Sequence, residues 1–244
     1  MRRTIVIGDI HGGFKALTQV LERAKVTPMD RLIFLGDLVD GWSESFEVVD
    51  YLIELDQSQI CIFIKGNHDL YCEYWLSTSK SNPNWDLHGG KATQVGYLNK
   101  SEEEKKKHLS FYQKMKYYHV DKENRLFIHA GFTSMHGPEK EHSESNYIWD
   151  RTLLETAIAT DKNIDQDSVR YPKRLKHFKE IYIGHTPTQN YEQETPIHAA
   201  NLWNIDTGAA FKGRLTALDI DTKEYWQSDP VHTLYPNEKG RNKN

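Results

Sequence analysis

Short runs of branched apolar residues recur along the chain, and the first three each end at a glycine-containing turn that introduces charged or polar side chains. Residues 4–7, 31–35 and 60–64 are the first three, and their length and composition predict buried strands. Between them Leu17, Val20, Leu21 and Ala24, and then Phe46, Val49 and Ile53, recur at helical spacing within residues 14–24 and 43–56. The opening therefore reads β-α-β-α-β. Residues 117–120 and 125–128 flank the hairpin signal Asp121-Lys122-Glu123-Asn124, and residues 181–183, 202–205 and 215–220 read as further strands. In open α/β sheets ligands bind beyond the carboxyl ends of the strands, so chemistry is expected in the residues just past each run.

This alternation over 244 residues predicts one domain, 1–236. After Leu70 the pattern loosens. Residues from about 75 to 107 are rich in Ser, Asn, Gly, Trp and His and end in a charged run at 102–107; they predict a cap-like insertion whose charged run is a solvated helix face. Trp42, Trp75 and Trp85 read as packing or cap residues, and the polar residues 237–244 as a disordered tail. A formal net charge of -4 provides no broad basic field, so no nucleic-acid polymer is expected as a partner. No apolar stretch approaches spanning length, and Met1-Arg2-Arg3-Thr4 leads directly into the first strand, so the expectation is a cytoplasmic protein with no membrane partner. Of the two cysteines, Cys61 sits inside an apolar run as a small buried residue would, and no disulfide with Cys72 is expected.

Five islands carry the candidate chemistry: Gly8-Asp9-Ile10-His11-Gly12, Gly36-Asp37-Leu38-Val39-Asp40, Gly66-Asn67-His68-Asp69, His129-Ala130-Gly131 and Gly184-His185-Thr186. Two divalent ions about 3.5–4 Å apart can polarise a phosphoryl group, but they require a bridging carboxylate and mixed oxygen and nitrogen ligands. Asp37 is the candidate bridge. Asp9 and His11, two apart after a strand, reach one ion, and Asn67, His129 and His185 complete the other. Such a set favours Mn, Fe or Zn over Ca. His68, adjacent to Asn67, is the candidate general acid, and Asp40 is placed to orient it. Arg151, in Ile148-Trp149-Asp150-Arg151, suits a tetrahedral phosphate. The remaining histidines, His88, His108, His119, His136, His142, His177, His198 and His232, lie outside such islands and read as surface or packing residues.

These islands, with Ile183-Gly184-His185-Thr186-Pro187 and Asn204-Ile205-Asp206-Thr207-Gly208-Ala209, resemble the calcineurin-like metallophosphoesterase superfamily, and within it the phosphoprotein phosphatase branch. The resemblance covers most of the chain except the cap and the C-terminal end. It implies an α/β fold, a four-layered α/β/β/α sandwich of two mixed sheets flanked by helices. It also implies a binuclear centre usually active with manganese and direct attack by a metal-bound water, without a phosphoenzyme. Residue by residue, it makes Asp9, His11 and Asp37 ligands of one metal and Asp37, Asn67, His129 and His185 ligands of the other. Asp40 and His68 become a catalytic dyad and Arg151 a phosphate ligand. Two positions depart from the pattern: Gly41-Trp42 stands where the family usually has an arginine, and Asp69 where many members have Glu. The missing cation leaves Lys91, Lys65 or Arg214 as candidate replacements.

The leading expectation is a Mn-dependent phosphomonoesterase acting on phosphoserine or phosphothreonine in proteins, with activity on small aryl phosphates. A diadenosine tetraphosphate hydrolase, cleaving symmetrically to two ADP, is the alternative. A noncatalytic metal-binding scaffold is the third reading, motivated by Gly41 and opposed by the Asp40–His68 pair.

Overall fold

A computed structural model describes residues 2–242. The first three apolar runs form β1 (Thr4–Ile7), β2 (Arg31–Phe34) and β3 (Ile60–Phe63), parallel to one another, separated by α1 (Phe14–Arg23) and α2 (Ser45–Ser58). The hairpin residues form β4 (Tyr118–Val120) and β5 (Arg125–Ile128), followed by β6 (Glu180–Ile183), β7 (Ile197–Ala199), β8 (Leu202–Asn204), β9 (Thr216–Asp219) and β10 (Tyr225–Gln227). One sheet has the order β10-β9-β1-β2-β3 and the other β4-β5-β6-β8-β7. Each has three consecutive parallel strands: β1-β2-β3 in the first sheet, with β3 at one edge and antiparallel pairing on the β9-β10 side, and β5-β6-β8 at the centre of the second, with antiparallel pairing at both edges.

Side-chain alternation shows why two sheets stack. In β1, Ile5 and Ile7 join the core beneath α1 and α2, whereas Val6 faces the other sheet; in β5, Leu126 and Ile128 face outward while Phe127 meets Val6's layer. Phe127 stacks on Tyr182 of β6 with ring centroids 5.1 Å apart. A strand buried on both faces has no polar side to present, which accounts for the continuous apolar runs. The layers are therefore helix, sheet, sheet, helix, the four-layered sandwich expected.

β7 and β10 were not foreseen. Both are three-residue edge strands containing polar residues, and their pairing with β8 and β9 is decided by neighbours rather than by local pattern. Residues 75–107 are helical: the end of α3 (Asn67–Thr78), α4 (Pro83–Trp85), an interrupted turn at Asp86–Gly90, α5 (Lys91–Gly96) and the start of α6 (Glu102–Lys114). The charged run of α6 is capped by Ser101 and Glu104, with Lys107 paired to Asp50 of α2 at 2.6 Å. Both cysteines are free. In residues 237–242, part of the tail expected to be disordered, Glu238 accepts from the Ser43 N–H and hydroxyl at 2.9 and 2.7 Å, and Arg241 N–H donates to Ala210 O at 2.9 Å. These contacts offset the entropy of ordering a polar segment; residues 243 and 244 lie outside the described residues. Among the described residues no helix is long and apolar enough to cross a membrane.

Candidate metal centre

All five islands meet at the carboxyl ends of β1, β2, β3, β5 and β6. Asp9, His11, Asp37, Asn67, His68, His129 and His185 are each buried. His11 Nδ1 lies 3.0 Å from Asp40 O and 3.2 Å from Val39 O, so its proton is spent on backbone and Nε2 points into the cluster, 3.7 Å from Asp37 Oδ2 and 4.0 Å from Asp9 Oδ2. His129 repeats this from the second sheet, with Nδ1 2.7 Å from Leu35 O and Nε2 3.4 Å from Asp37 Oδ2. Asn67 Oδ1 lies 3.0 Å from His185 Nδ1 and 3.3 Å from His129 Nε2. Asp37 belongs to both groups of potential ligands, one with His11 and His68 and one with His129 and His185, each with its ligand atoms within 4.8 Å of one another. That shared position is what a bridging carboxylate requires.

The cluster's own chemistry fits divalent cations. Asp9 Oδ1 and His185 Nε2 are buried without a hydrogen-bond partner among the described residues, a costly state unless a cation completes them. Asp9 is pushed well up by burial and by Asp206, and burial holds His185 and His11 well below the usual imidazole range. Burial also pulls His129 down, but Asp37 outweighs it and raises His129 to about 10. The carboxylates thus create a field that selects positive charge, which His129 answers by holding its proton, while the neutral imidazoles of His11 and His185 stand ready as donors. A side chain at Gly184 would collide with Asp9 Oδ1, so only glycine lets β6 end this close to the first sheet.

His68 differs from its neighbours. Its Nδ1 lies 2.6 Å from Asp40 Oδ2, which places the proton on Nδ1 and leaves Nε2 for the cleft. Asp40 is fully buried, and it also accepts from the Trp85 indole N–H and, at 2.5 Å, from the Thr93 hydroxyl. Trp85 and Thr93 belong to the segment expected as a cap, and nothing in their local sequence signals this contact. Asp69 has a scaffolding part as well: it accepts from the backbone N–H groups of Gly66, Asp37 and Leu38 at 2.8, 2.8 and 2.9 Å, tying the second island to the third. Burial and nearby Asp37 raise Asp69 to about 7, and burial raises Asp206 to about 6.

Above the cluster is a cleft of about 250 Å³ with Asp37, Asn67, His68 and His185 in its lining, Tyr71 and Trp149 as aromatic walls, and His88, Arg151 and Arg241 completing it. His88, read from the sequence as a surface or packing residue, is thus a cleft residue. Trp149 is 45% exposed and packs edge-on against both Tyr71 and His185. Lys91, Lys65 and Arg214 are outside this lining: Lys65 pairs with Glu73 at 2.5 Å, and Arg214 donates to Ser228 O at 2.9 Å. A larger surface hollow, about 470 Å³, opens at the opposite strand ends around Arg31, His119 and Arg125 and holds none of the clustered ligands.

The calcineurin-like phosphoesterase family matches residues 2–205. The asymmetrical bis(5'-nucleosyl)-tetraphosphatase PrpE of Geobacillus thermodenitrificans is 31% identical over 231 residues, 87% of this chain and 88% of that one. Its counterpart from Oceanobacillus iheyensis is 25% identical over 90% of this chain and 89% of its own. Among solved structures, a metallophosphoesterase from Sphaerobacter thermophilus superposes with a TM-score of 0.55 at 17% identity over 93% of this chain and 87% of its own. A serine/threonine phosphatase from Saccharomyces cerevisiae gives 0.59 at 13% identity over 93% and 80%.

Proposed function

The chain belongs to the calcineurin-like phosphoesterase family, and from that premise we propose that it hydrolyses a phosphoanhydride of a dinucleoside polyphosphate, releasing a nucleoside monophosphate from a tetraphosphate. The observation that carries this choice over a phosphoprotein is the likeness along nearly the whole chain to proteins named asymmetrical bis(5'-nucleosyl)-tetraphosphatases. The half-exposed Trp149 beside Tyr71 supports it, because a flat aromatic face at the mouth of a cationic cleft suits a stacked base.

In this reading Asp9, His11, Asp37, Asn67, His129 and His185 hold two divalent ions. When bound, such ions supply Lewis acidity at phosphate oxygens and acidify water to a nucleophile near neutral pH. Arg151 binds and orients a phosphate through its planar fork. His68, as imidazolium, donates its Nε2 proton to the leaving-group oxygen, while Asp40, held by Trp85 and Thr93, keeps the ring aimed and stabilises its charge. A leaving nucleotide phosphate is a weaker base than an alkoxide and needs less proton donation. His68→Ala should therefore slow an alkyl phosphate ester by about 10²- to 10⁴-fold and the anhydride by less.

The test is parallel turnover by the Mn-reconstituted protein of Ap4A, p-nitrophenyl phosphate and a phosphothreonine peptide, with products separated. Preference for Ap4A, giving AMP and ATP, is expected. Two ADP would mean symmetrical cleavage, and preference for the peptide would restore the phosphatase reading from the sequence.

A further inference from the structure

The cleft contains a second guanidinium that none of the five islands supplies. Arg241 comes from the C-terminal segment, which is anchored over the second island. Tyr235 stacks on Trp42 with centroids 5.2 Å apart, and the Trp42 indole N–H donates to Ala209 O at 2.8 Å. A Cβ on Gly240 would lie 2.6 Å from the Trp42 ring, so the segment crosses that ring in close contact. With Arg241 N–H bonded to Ala210 O, the side chain runs along Gly41: a Cβ on Gly41 would stand 3.3 Å from Arg241 Cγ and 3.7 Å from Cδ. Gly41 has φ +116, so glycine there serves both the turn and the passage of the arginine.

Four of the arginines elsewhere are paired with carboxylates, and Arg31, whose Nε is also buried without a hydrogen-bond partner among the described residues, lies in the hollow at the opposite strand ends. Arg3 meets Asp30, Arg23 meets Asp229, Arg125 meets Asp121 and Asp221, and Arg174 lies near Asp150. Arg241 forms no such ion pair among the described residues, and its Nε is buried without a hydrogen-bond partner. A guanidinium nitrogen in that state costs free energy unless an anion reaches it, and the cleft it shares with Arg151 and His68 is where a substrate's phosphates would lie.

We propose that Arg241 is a phosphate-binding residue delivered to the site by the C-terminal segment, so that substrate phosphate is held between Arg151 and Arg241. Gly41-Trp42, the departure at the second island, is then one device: Gly41 leaves room for the side chain and Trp42 docks the backbone that carries it. The inference rests on the cleft being a phosphohydrolase site, and not on which phosphate compound is hydrolysed.

The experiment uses the full Mn-loaded chain with p-nitrophenyl phosphate as substrate and inorganic phosphate as inhibitor, alongside metal content and thermal midpoint. Arg241→Ala should raise both KM and the phosphate inhibition constant roughly 10- to 100-fold, with both metals retained. Arg241→Lys, which keeps the charge and loses the fork, should fall between. Constants in Arg241→Ala within about twofold of the parent, or an effect traced to lost metal, would overturn the proposal. Ap4A separates it from the substrate reading. A parent that ignores Ap4A yet binds phosphate better than Arg241→Ala leaves Arg241 assigned and overturns the substrate. A parent that cleaves Ap4A no better than Arg241→Ala does the reverse.

Discussion

The Asp40 carboxylate gives one oxygen to the Trp85 indole and His68 Nδ1 and the other to the Thr93 hydroxyl, at a position with no exposed surface. Removing one donor from a buried anion costs about 1.5–3 kcal/mol, because no water replaces it. Trp85→Phe, which keeps most of the ring volume, should therefore lower the urea-unfolding free energy by about 2 kcal/mol. It should also lower kcat by about tenfold with KM little changed, since His68 is no longer held in one orientation. Unchanged kcat would detach Trp85 from the dyad. At this scale the sequence is uneven. Asp9, His11, Asp37, Asn67 and His185 stand out in the sequence because each lies just past a strand and next to a glycine, and His129 because it directly follows the apolar run 125–128. Trp85, Thr93, His88 and Arg241 come from segments with no strand periodicity, and their place depends on how those segments fold back.

Among the elements, α6 shows how the helical layer behaves. It carries His108, which stacks on Phe46 of α2 at 4.4 Å and lies 2.7 Å, Nδ1 to Oη, from Tyr97. Burial lowers His108 to about 4, against the opposing pull of Asp50. In the unfolded chain the group titrates near 6.5. The folded value is the lower one, so unfolding takes up a proton between about pH 4 and 6.5. Its contribution is complete above the unfolded value and is lost as pH falls toward the folded one, on the order of 3 kcal/mol across the whole window. The urea midpoint of the parent should fall between pH 7 and pH 5 more steeply than that of His108→Gln; parallel curves would contradict the assignment. The central strands were legible from their apolar runs, since β1, β2, β5 and β6 are covered on both faces. β7 and β10 were not, because a short edge strand takes its conformation from its partner.

For the molecule as a whole, the candidate centre lies between two sheets that also meet through the apolar layer between them and the ion pairs Arg125–Asp221 and Glu180–Lys223. Asp9, His11, Asp37 and Asn67 come from the first sheet and its α3 extension, His129 and His185 from the second. Ions bound there stabilise only the folded state, by about 2.7 kcal/mol at a hundredfold excess over Kd. For a chain of this size that corresponds to a rise in Tm of roughly 5–10 °C when Mn is added to metal-free protein. Asp37→Asn should abolish most of the rise. An equal rise in that variant would place the ions elsewhere. The shared position of Asp37 in both ligand groups is the centre of this account, and bound metal per chain, measured in the parent and in Asp37→Asn after reconstitution and desalting, tests it most directly. Two ions per chain are expected in the parent, and loss of both from the variant. A parent holding one ion or none, or a variant that keeps two, would contradict a bridged binuclear centre.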